Sequence, residues 1–346
     1  MRVGRAASTS RSAVRVKVLT VDSQWFEHLV GFPERNYHET QDRLEVVGDS
    51  LRSRVNGRVV RIGTLETPTL AELRQRASAA AVAVPGQLSV SSVIADVGAL
   101  HRRPDLRHAL FQVASQFNLL EMASPDITPE DGVTRYAFDS TQGPACALAA
   151  PGATIYRNYC LPVAGAFGQT ATRQVDCLAD LGRALGNTDG RLWEMRNGYA
   201  LCSAEGLTAI AHRLGSLDAT SRTALGGHLR IGLQWDVEVA GGDGEHVVSQ
   251  AFCAALPVAY GAPPPDAWAP FARLILEAAY EATLCAATIN ARQTGVRTVL
   301  LTRLGGGAFG NDQEWIDQSL AAALARFADV GLTVLLVTRD APSDAP

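Results

Sequence analysis

The segment near the C-terminus leaves the chain few ways to fold. Residues 296–301 form a β-branched and aliphatic run, residues 305–311 a glycine-rich loop, residues 313–327 a helix by their spacing, and residues 332–337 a second apolar run. Two strands joined through a helix become parallel neighbours, because the crossover carries the chain back to the edge from which it started. A parallel pair is buried on both faces, so the rest of the chain has to supply further strands and two covering layers of helix.

The upstream pattern supplies them. Asn56-Gly57, set between residues 51–55 and 58–62, predicts a hairpin. Thr67-Pro68-Thr69 with Glu72 opens an Ala-rich helix that runs to about Val84 and is broken by Pro85-Gly86. Residues 88–94 are expected to form a buried strand. Pro104 and Asp105 are expected to start a helix with Leu106, Leu110, Val113 and Phe117 on one face, and residues 117–121 read as the beginning of a strand. Residues 170–227 read as mainly helical, with Val175, Leu178, Leu181 and Leu185 at helical spacing and a second hairpin at Asn197-Gly198. Residues 229–239 and 247–258 are strand-like, and residues 268–292 predict a long amphipathic helix. The expected fold is therefore α/β, with three layers around a mixed central sheet. Residues 1–17 read as a disordered leader, residues 18–105 as strand and helix elements packed on the core, and residues 106–340 as the core itself, with a helical insertion near 170–227. The leader is rich in Arg, Ser and Ala without acids, a composition that organelle-targeting segments share.

Two segments carry chemistry. The first is Leu304-Gly305-Gly306-Gly307-Ala308-Phe309-Gly310-Asn311, between a strand and a helix. Consecutive glycines let backbone N–H groups approach a pyrophosphate, and the following helix N-terminus adds a positive dipole. A tight turn with positive φ explains one such glycine but not three in a row. The loop lacks the Lys-Ser/Thr of a P-loop and the spacing of a dinucleotide fingerprint, so a diphosphate without triphosphate chemistry fits best. Phe309 either stacks on a ribose or adenine face or plugs the core.

The second segment, residues 124–142, is too long and irregular for an ordinary connection. It holds Glu130, Asp131 and Asp139, followed by Gln142, Gly143 and Pro144. Cleavage of an N-glycosidic bond needs carboxylates that orient the leaving group, stabilise an oxocarbenium-like centre and activate water. Taken singly, Glu130 and Asp131 read equally as turn caps, and Asp139 as a cap for a helix near Pro144. As a set on one loop they point to catalysis. Cys146, near that helix start, has no histidine partner in a recognisable motif and reads as a small buried residue. Asn118 either contacts a ribose hydroxyl or closes a turn, and Arg157 either faces a phosphate or is solvated.

Composition removes several classes. With 31 Lys and Arg against 35 Asp and Glu, the formal charge of -4 argues against a general nucleic-acid binder. The six cysteines form no CxxC pair, which speaks against a zinc site and for free thiols in a reducing, cytoplasmic setting. No apolar run reaches the roughly 20 residues of a membrane helix.

The combination of Gln116-Phe117-Asn118-Leu119-Leu120-Glu121, Thr128-Pro129-Glu130-Asp131-Gly132, Gln142-Gly143-Pro144-Ala145 and Tyr156-Arg157-Asn158-Tyr159 resembles the divergent arginine-specific ADP-ribosylhydrolases of the macrodomain family, the MavL-like group. Gln250 with residues 253–258, and residues 304–311, extend the resemblance over roughly residues 40–340. It implies a macrodomain-like core, ADP-ribose as ligand and product, no cofactor or metal, and removal of ADP-ribose from arginine on a protein such as ubiquitin. It further implies Asp131 and Asp139 as the acids to test first, assisted by Glu130. Asn118, Gln142 and Gly143 then belong to the ligand site, with Asn118 near the distal ribose and residues 305–311 around the phosphates. Ordinary macrodomains carry a glycine-rich first loop where this chain has the acidic residues 130–142, so their chemistry does not transfer directly.

Overall fold

Helix Pro265–Thr294, thirty residues long, is buried on nearly every face between Trp268 and Ala291 in the computed structural model, which describes residues 23–242 and 244–339. The elements run in chain order around it. Helices α1 (Trp25–Val30) and α2 (Tyr37–Asp42) precede an antiparallel sheet of β1 (Leu44–Val47), β2 (Ser50–Ser53) and β3 (Val59–Arg61). Then come β4 (Thr64–Glu66), α3 (Leu70–Ala81), β5 (Ser89–Ile94), α4 (Val97–His101) and β6 (Leu110–Ala114). After an irregular stretch follow α5 (Gln142–Ala149), α6 (Pro151–Tyr159) and a small hairpin, β7 (Pro162–Val163) and β8 (Ala166–Phe167). Next are α7 (Ala179–Leu185), the hairpin β9 (Trp193–Arg196) and β10 (Tyr199–Cys202), α8 (Ala204–Gly215) and α9 (Ala219–Gly226). The chain closes with β11 (Gly232–Glu238), β12 (Val247–Cys253), the long helix α10, β13 (Thr298–Leu301), α11 (Gln313–Arg326) and β14 (Thr333–Thr338).

Seven strands form the central sheet in the order β4-β11-β12-β6-β13-β14-β5. The pairs from β12 through to β5 are parallel, and β11 is antiparallel to both of its neighbours. Side-chain alternation along β6 shows what covers each face. The Gln112 amide donates to Thr283 of α10 at 2.9 Å, whereas the next residue back, Phe111, stacks on His101 of α4. Helix α10, with α3, α8 and α11 packed on it, therefore covers one face, and α4 and α5 cover the other. This is the three-layer arrangement around a mixed sheet that the sequence implied. Both sheet edges, β4 and β5, come from before residue 105.

Several expectations need correction. The helix expected from Pro104 is a single 3-10 turn, Pro104–Leu106, and the chain continues into β6 at the middle of the sheet. Leu110, Phe111 and Val113 are all buried. A strand covered on both faces is apolar throughout and matches a helical template by chance. Residues 117–121 are not a strand, since Leu119 takes a positive φ of 67° that breaks extended pairing. Residues 88–94 do contain a strand, but it lies at the sheet edge and is largely exposed. The helix after Pro264 is not amphipathic, because sheet and helices enclose it. Both Asn-Gly hairpins form, with β2 against β3 and β9 against β10, and α7, α8 and α9 account for the helical stretch, although Val175 precedes the first of them. Residues 1–17 lie outside the described residues.

The buried charge in α10 is Glu281, 8% exposed, whose carboxylate receives the Arg74 guanidinium at 2.7 and 2.9 Å and Arg326 at 3.2 Å. Truncation strands two guanidinium groups, but Arg326 is half exposed and water screens it. Glu281→Ala is expected to lower stability by roughly 1–3 kcal/mol, below the cost of breaking a fully buried pair. The shift of the urea midpoint at unchanged slope measures it.

Candidate functional site

The parallel strands β6, β12 and β13 end side by side at Ala114, Cys253 and Leu301. The loops leaving such ends are where an open α/β sheet collects its polar groups. Here the first turn of α5 is clamped against them. The Gln142 side chain behaves as one more strand residue, accepting from Ala114 N–H and donating to the Gln112 carbonyl, both at 2.8 Å. Gly143 sits so close that a Cβ there would lie 2.0 Å from the Ala114 oxygen. Just ahead of the helix, Asp139 Oδ1 accepts from the Thr141 N–H at 2.8 Å and from its hydroxyl at 2.7 Å. The clamp therefore fixes the position of Asp139.

A cleft of about 140 Å³ opens at this point, and Glu121, Asp139, Gly143, Gly305, Gly307 and Phe309 are among the residues lining it. Glu121 is only 3% exposed, and neither carboxylate oxygen has a hydrogen-bond partner among the described residues. Burial pushes its carboxyl up to about 7, against the opposing pull of Arg157. Arg157 lies 3.5 Å from the Glu121 carboxylate and is fully buried. Its guanidinium donates to the Leu119 carbonyl at 3.0 Å, to Gln234 at 2.9 Å and to Thr154 at 3.2 Å, and it lies over the Phe252 ring. Burial likewise moves Arg157 below its ordinary range. Both partners are shifted toward neutrality, so desolvation outweighs their attraction.

The glycine loop forms another wall. Gly305 has φ of 75°, and a Cβ there would meet Ala255 at 2.5 Å. A Cβ on Gly306 would meet Gln313 at 2.8 Å. Gly307 differs: its φ is ordinary and nothing lies within 4 Å of a Cβ built on it. Conformation and packing require a glycine at 305, a Cβ at 306 would displace only the flexible end of Gln313, and position 307 has room. The loop is closed by Gly310 N–H to the Gly307 carbonyl and Asn311 N–H to the Gly305 carbonyl, both at 3.0 Å. The N–H groups of Gly307, Ala308 and Phe309 donate to no acceptor among the described residues. Phe309 packs with Tyr199 at 5.3 Å and Tyr260 at 5.7 Å between ring centres, forming an aromatic wall. The expected help from the following helix is reduced, because Asp312 caps α11 and puts a carboxylate at its N-terminus. A second cleft of about 480 Å³, lined in part by Asp96, Ser140, Gly306 and Arg339, shares Thr141, Gln142, Thr302, Arg303 and Gly307 with the first.

Of the residues singled out from sequence, Asp139, Gln142, Gly143, Gly305, Gly307, Ala308 and Phe309 meet in the first cleft, and Gly306 lines the second. The structure does not bring Asp131 or Glu130 to either cleft. The Asp131 carboxylate accepts from Thr128 N–H at 2.8 Å and its hydroxyl at 3.1 Å in a capping box. Glu130 accepts from the Ala171 N–H at 2.9 Å. For Asp131 the capping role is the one observed, whereas Glu130 ties its loop to the backbone at Ala171. Asn118 closes a turn, accepting from Leu120 N–H at 3.1 Å and donating to Gln174 at 2.8 Å. Asn311 lies behind the loop, where it donates to the Leu256 carbonyl at 2.8 Å, and Gly310 sits against Ala259. Arg157 is neither solvated nor at a lining position. Cys146 is fully buried and its thiol is pushed well above the ordinary range, which removes it as a nucleophile. Glu121 carried no role in the sequence reading. A lone acid between Leu119-Leu120 and Met122 was the available signal.

No protein-family model matches the chain, and no curated protein matches it. Poly(ADP-ribose) glycohydrolases are among its structural neighbours. One, from Deinococcus radiodurans in complex with ADP-ribose, is 12% identical with a TM-score of 0.42, covering 80% of this chain and 88% of that one. Another, from Thermomonospora curvata and bound to the inhibitor ADP-HPD, is 14% identical with a TM-score of 0.43, covering 90% and 94%. The resemblance to the arginine-specific MavL-like group is withdrawn on this finding. Among the described residues no group of three or more His, Cys, Asp or Glu is arranged to hold a metal ion, and no helix is long and apolar enough to cross a membrane.

Two glycines separate packing from binding. Gly143→Ala drives a methyl into the Ala114 carbonyl and is expected to cost about 2 kcal/mol or more. Gly307→Ala is expected to stay within about 0.5 kcal/mol of wild type. Thermal unfolding of both variants checks the contrast.

Proposed function

We propose that the chain binds ADP-ribose and hydrolyses a glycosidic bond at its ribose. One observation carries the reading: two carboxylates of the β6–α5 connection, Glu121 and Asp139, share a cleft with a sequence-distant glycine loop whose successive N–H groups are uncommitted. A run of free N–H groups suits a diphosphate, and the joined second cleft offers room for a nucleoside. ADP-ribose, the ligand bound in one neighbouring structure, has both parts.

In this mechanism water attacks the anomeric carbon while the bond to the leaving atom breaks and its electron pair departs with that atom. Glu121, protonated below about pH 7, delivers its proton to the leaving atom as general acid. Asp139 spends Oδ1 on Thr141 and has Oδ2 to orient the water and accept its proton. Arg157 keeps the Glu121 proton releasable, since burial alone would bind it more tightly. The N–H groups of Gly307, Ala308 and Phe309 hold the diphosphate.

Calorimetry with ADP-ribose, then a hydrolase assay on poly(ADP-ribose) and on protein-linked ADP-ribose, tests the reading. Glu121→Gln and Asp139→Asn are each expected to lower kcat by about 100-fold or more while ADP-ribose still binds. Asp131→Asn and Glu130→Gln are expected to stay within a few-fold of wild type. Binding without turnover of either substrate makes the protein a non-catalytic reader of ADP-ribose, and absence of binding refutes the proposal.

The pH dependence follows from Glu121. Its folded-state value lies above the ordinary 4.5, so the folded chain holds an extra proton between about pH 4.5 and 7. Its contribution to stability is full below that window and declines as pH rises through it. Activity that needs the proton falls on the alkaline side of about pH 7. Rate–pH and stability–pH profiles of wild type and Glu121→Gln check both, and the variant is expected to lack the stability slope.

A further inference from the structure

The two edges of the central sheet are built differently. At one edge β4 is three residues long and ends in Glu66, which Arg76 holds at 2.8 and 2.9 Å. A short strand ending in a charge is a common protection against edge pairing. At the other edge β5 is six residues long, reads Ser-Val-Ser-Ser-Val-Ile, and has no charge and no proline. Val90 is 51% exposed and Ile94 53% exposed. Among the described residues only β14 pairs with it.

The direction of its free groups follows from two hydrogen bonds. Ser89 N–H donates to the Leu332 carbonyl at 2.9 Å and Ala95 N–H to the Thr338 carbonyl at 3.0 Å. Backbone groups alternate sides along a strand, so the odd-numbered residues face β14 and Val90, Ser92 and Ile94 point their N–H and C=O outward.

We propose that β5 pairs antiparallel with β5 of a second copy of this chain across a two-fold axis at Ser92. A strand pairing with itself must bring outward-facing residues opposite each other, and the register centred on Ser92 does this for all three. It sets Val90 against Ile94 of the other copy, on the same face, and Ser92 against itself. The two exposed apolar side chains thus cover each other across the axis, a favourable cross-strand pair. The strand carries no charge, so the two copies do not repel where they meet. Such an interface is isologous and closed, giving a dimer and no fibre. The ends of the two β5 strands point in opposite directions, so the two clefts lie at opposite ends of the joined sheet and turn over independently.

Sedimentation velocity of the full chain over a concentration series is the test. Wild type is expected at twice its 36.7 kDa mass. Val90→Lys brings two charges to the interface without partners and is expected to halve the mass, with the circular dichroism spectrum of the folded chain unchanged. Adding Ile94→Glu places a carboxylate opposite each lysine in this register, and the double variant is expected to return to the dimer. A monomeric wild type overturns the proposal, whether the edge is free, covered by residues 1–22 or reserved for another protein. A dimer that survives Val90→Lys overturns it too, and failure of the double variant to reassociate overturns the register. None of these readouts uses ADP-ribose, so the outcome stands apart from the proposed activity.

Discussion

The buried guanidinium of Arg157 is the constraint around which the site is arranged. A charge with no exposure has to have its donors satisfied by fixed acceptors. Those acceptors are the Leu119 carbonyl in the loop after β6, Gln234 in β11, and Thr154 one turn back in α6. Gln234 in turn donates to the Ile62 carbonyl at 3.0 Å. One side chain thereby locks the sheet, the covering helix and the cleft-lining loop to each other. It also explains why an acid is tolerated at Glu121 without a hydrogen bond: the neighbouring positive charge offsets part of the burial penalty.

Around that centre the loops divide into those that hold shape and those left open. The acidic segment first draws attention for its carboxylates, yet Glu130 and Asp131 are spent on backbone N–H groups, and Glu34 is spent on those of Val133 and Thr134. Tyr136 then braces the segment by accepting from the Glu121 N–H at 3.0 Å. The acids of this segment mostly hold a turn-rich loop in one conformation, and Asp139 is the one carried to the cleft wall. The glycine loop shows the same division, with Gly305 held by its positive φ and by Ala255 while Gly307, free of close neighbours, lines both clefts.

How much of this the sequence reveals depends on distance along the chain. The β13–α11–β14 unit, the helix start at Thr69 with Glu72 in its first turn and the two Asn-Gly hairpins are local and were legible, because their signals are complete within a few residues. The strand β6 was not, since a segment apolar on both faces has no period of its own. Asp139 and the glycine loop, both singled out from the sequence, do line one cleft, but nothing in the residues themselves says that Asp131 turns back to Thr128. Glu121 was hidden for a related reason: its character comes from Arg157, 36 positions later, and only the fold sets that distance at 3.5 Å.

The strand order has a consequence for how the chain assembles. Both margins of the central sheet, β4 and β5, are made early in synthesis, while the strands that lie between them, apart from β6, come from the second half of the chain. Residue 110 must find residue 249 on one side and residue 299 on the other before those margins have anything to border. Such remote pairings close large loops late, which favours slow folding. The first hundred residues are thus a frame waiting for its panel, and removing them would leave β11 and β14 as raw, adhesive borders.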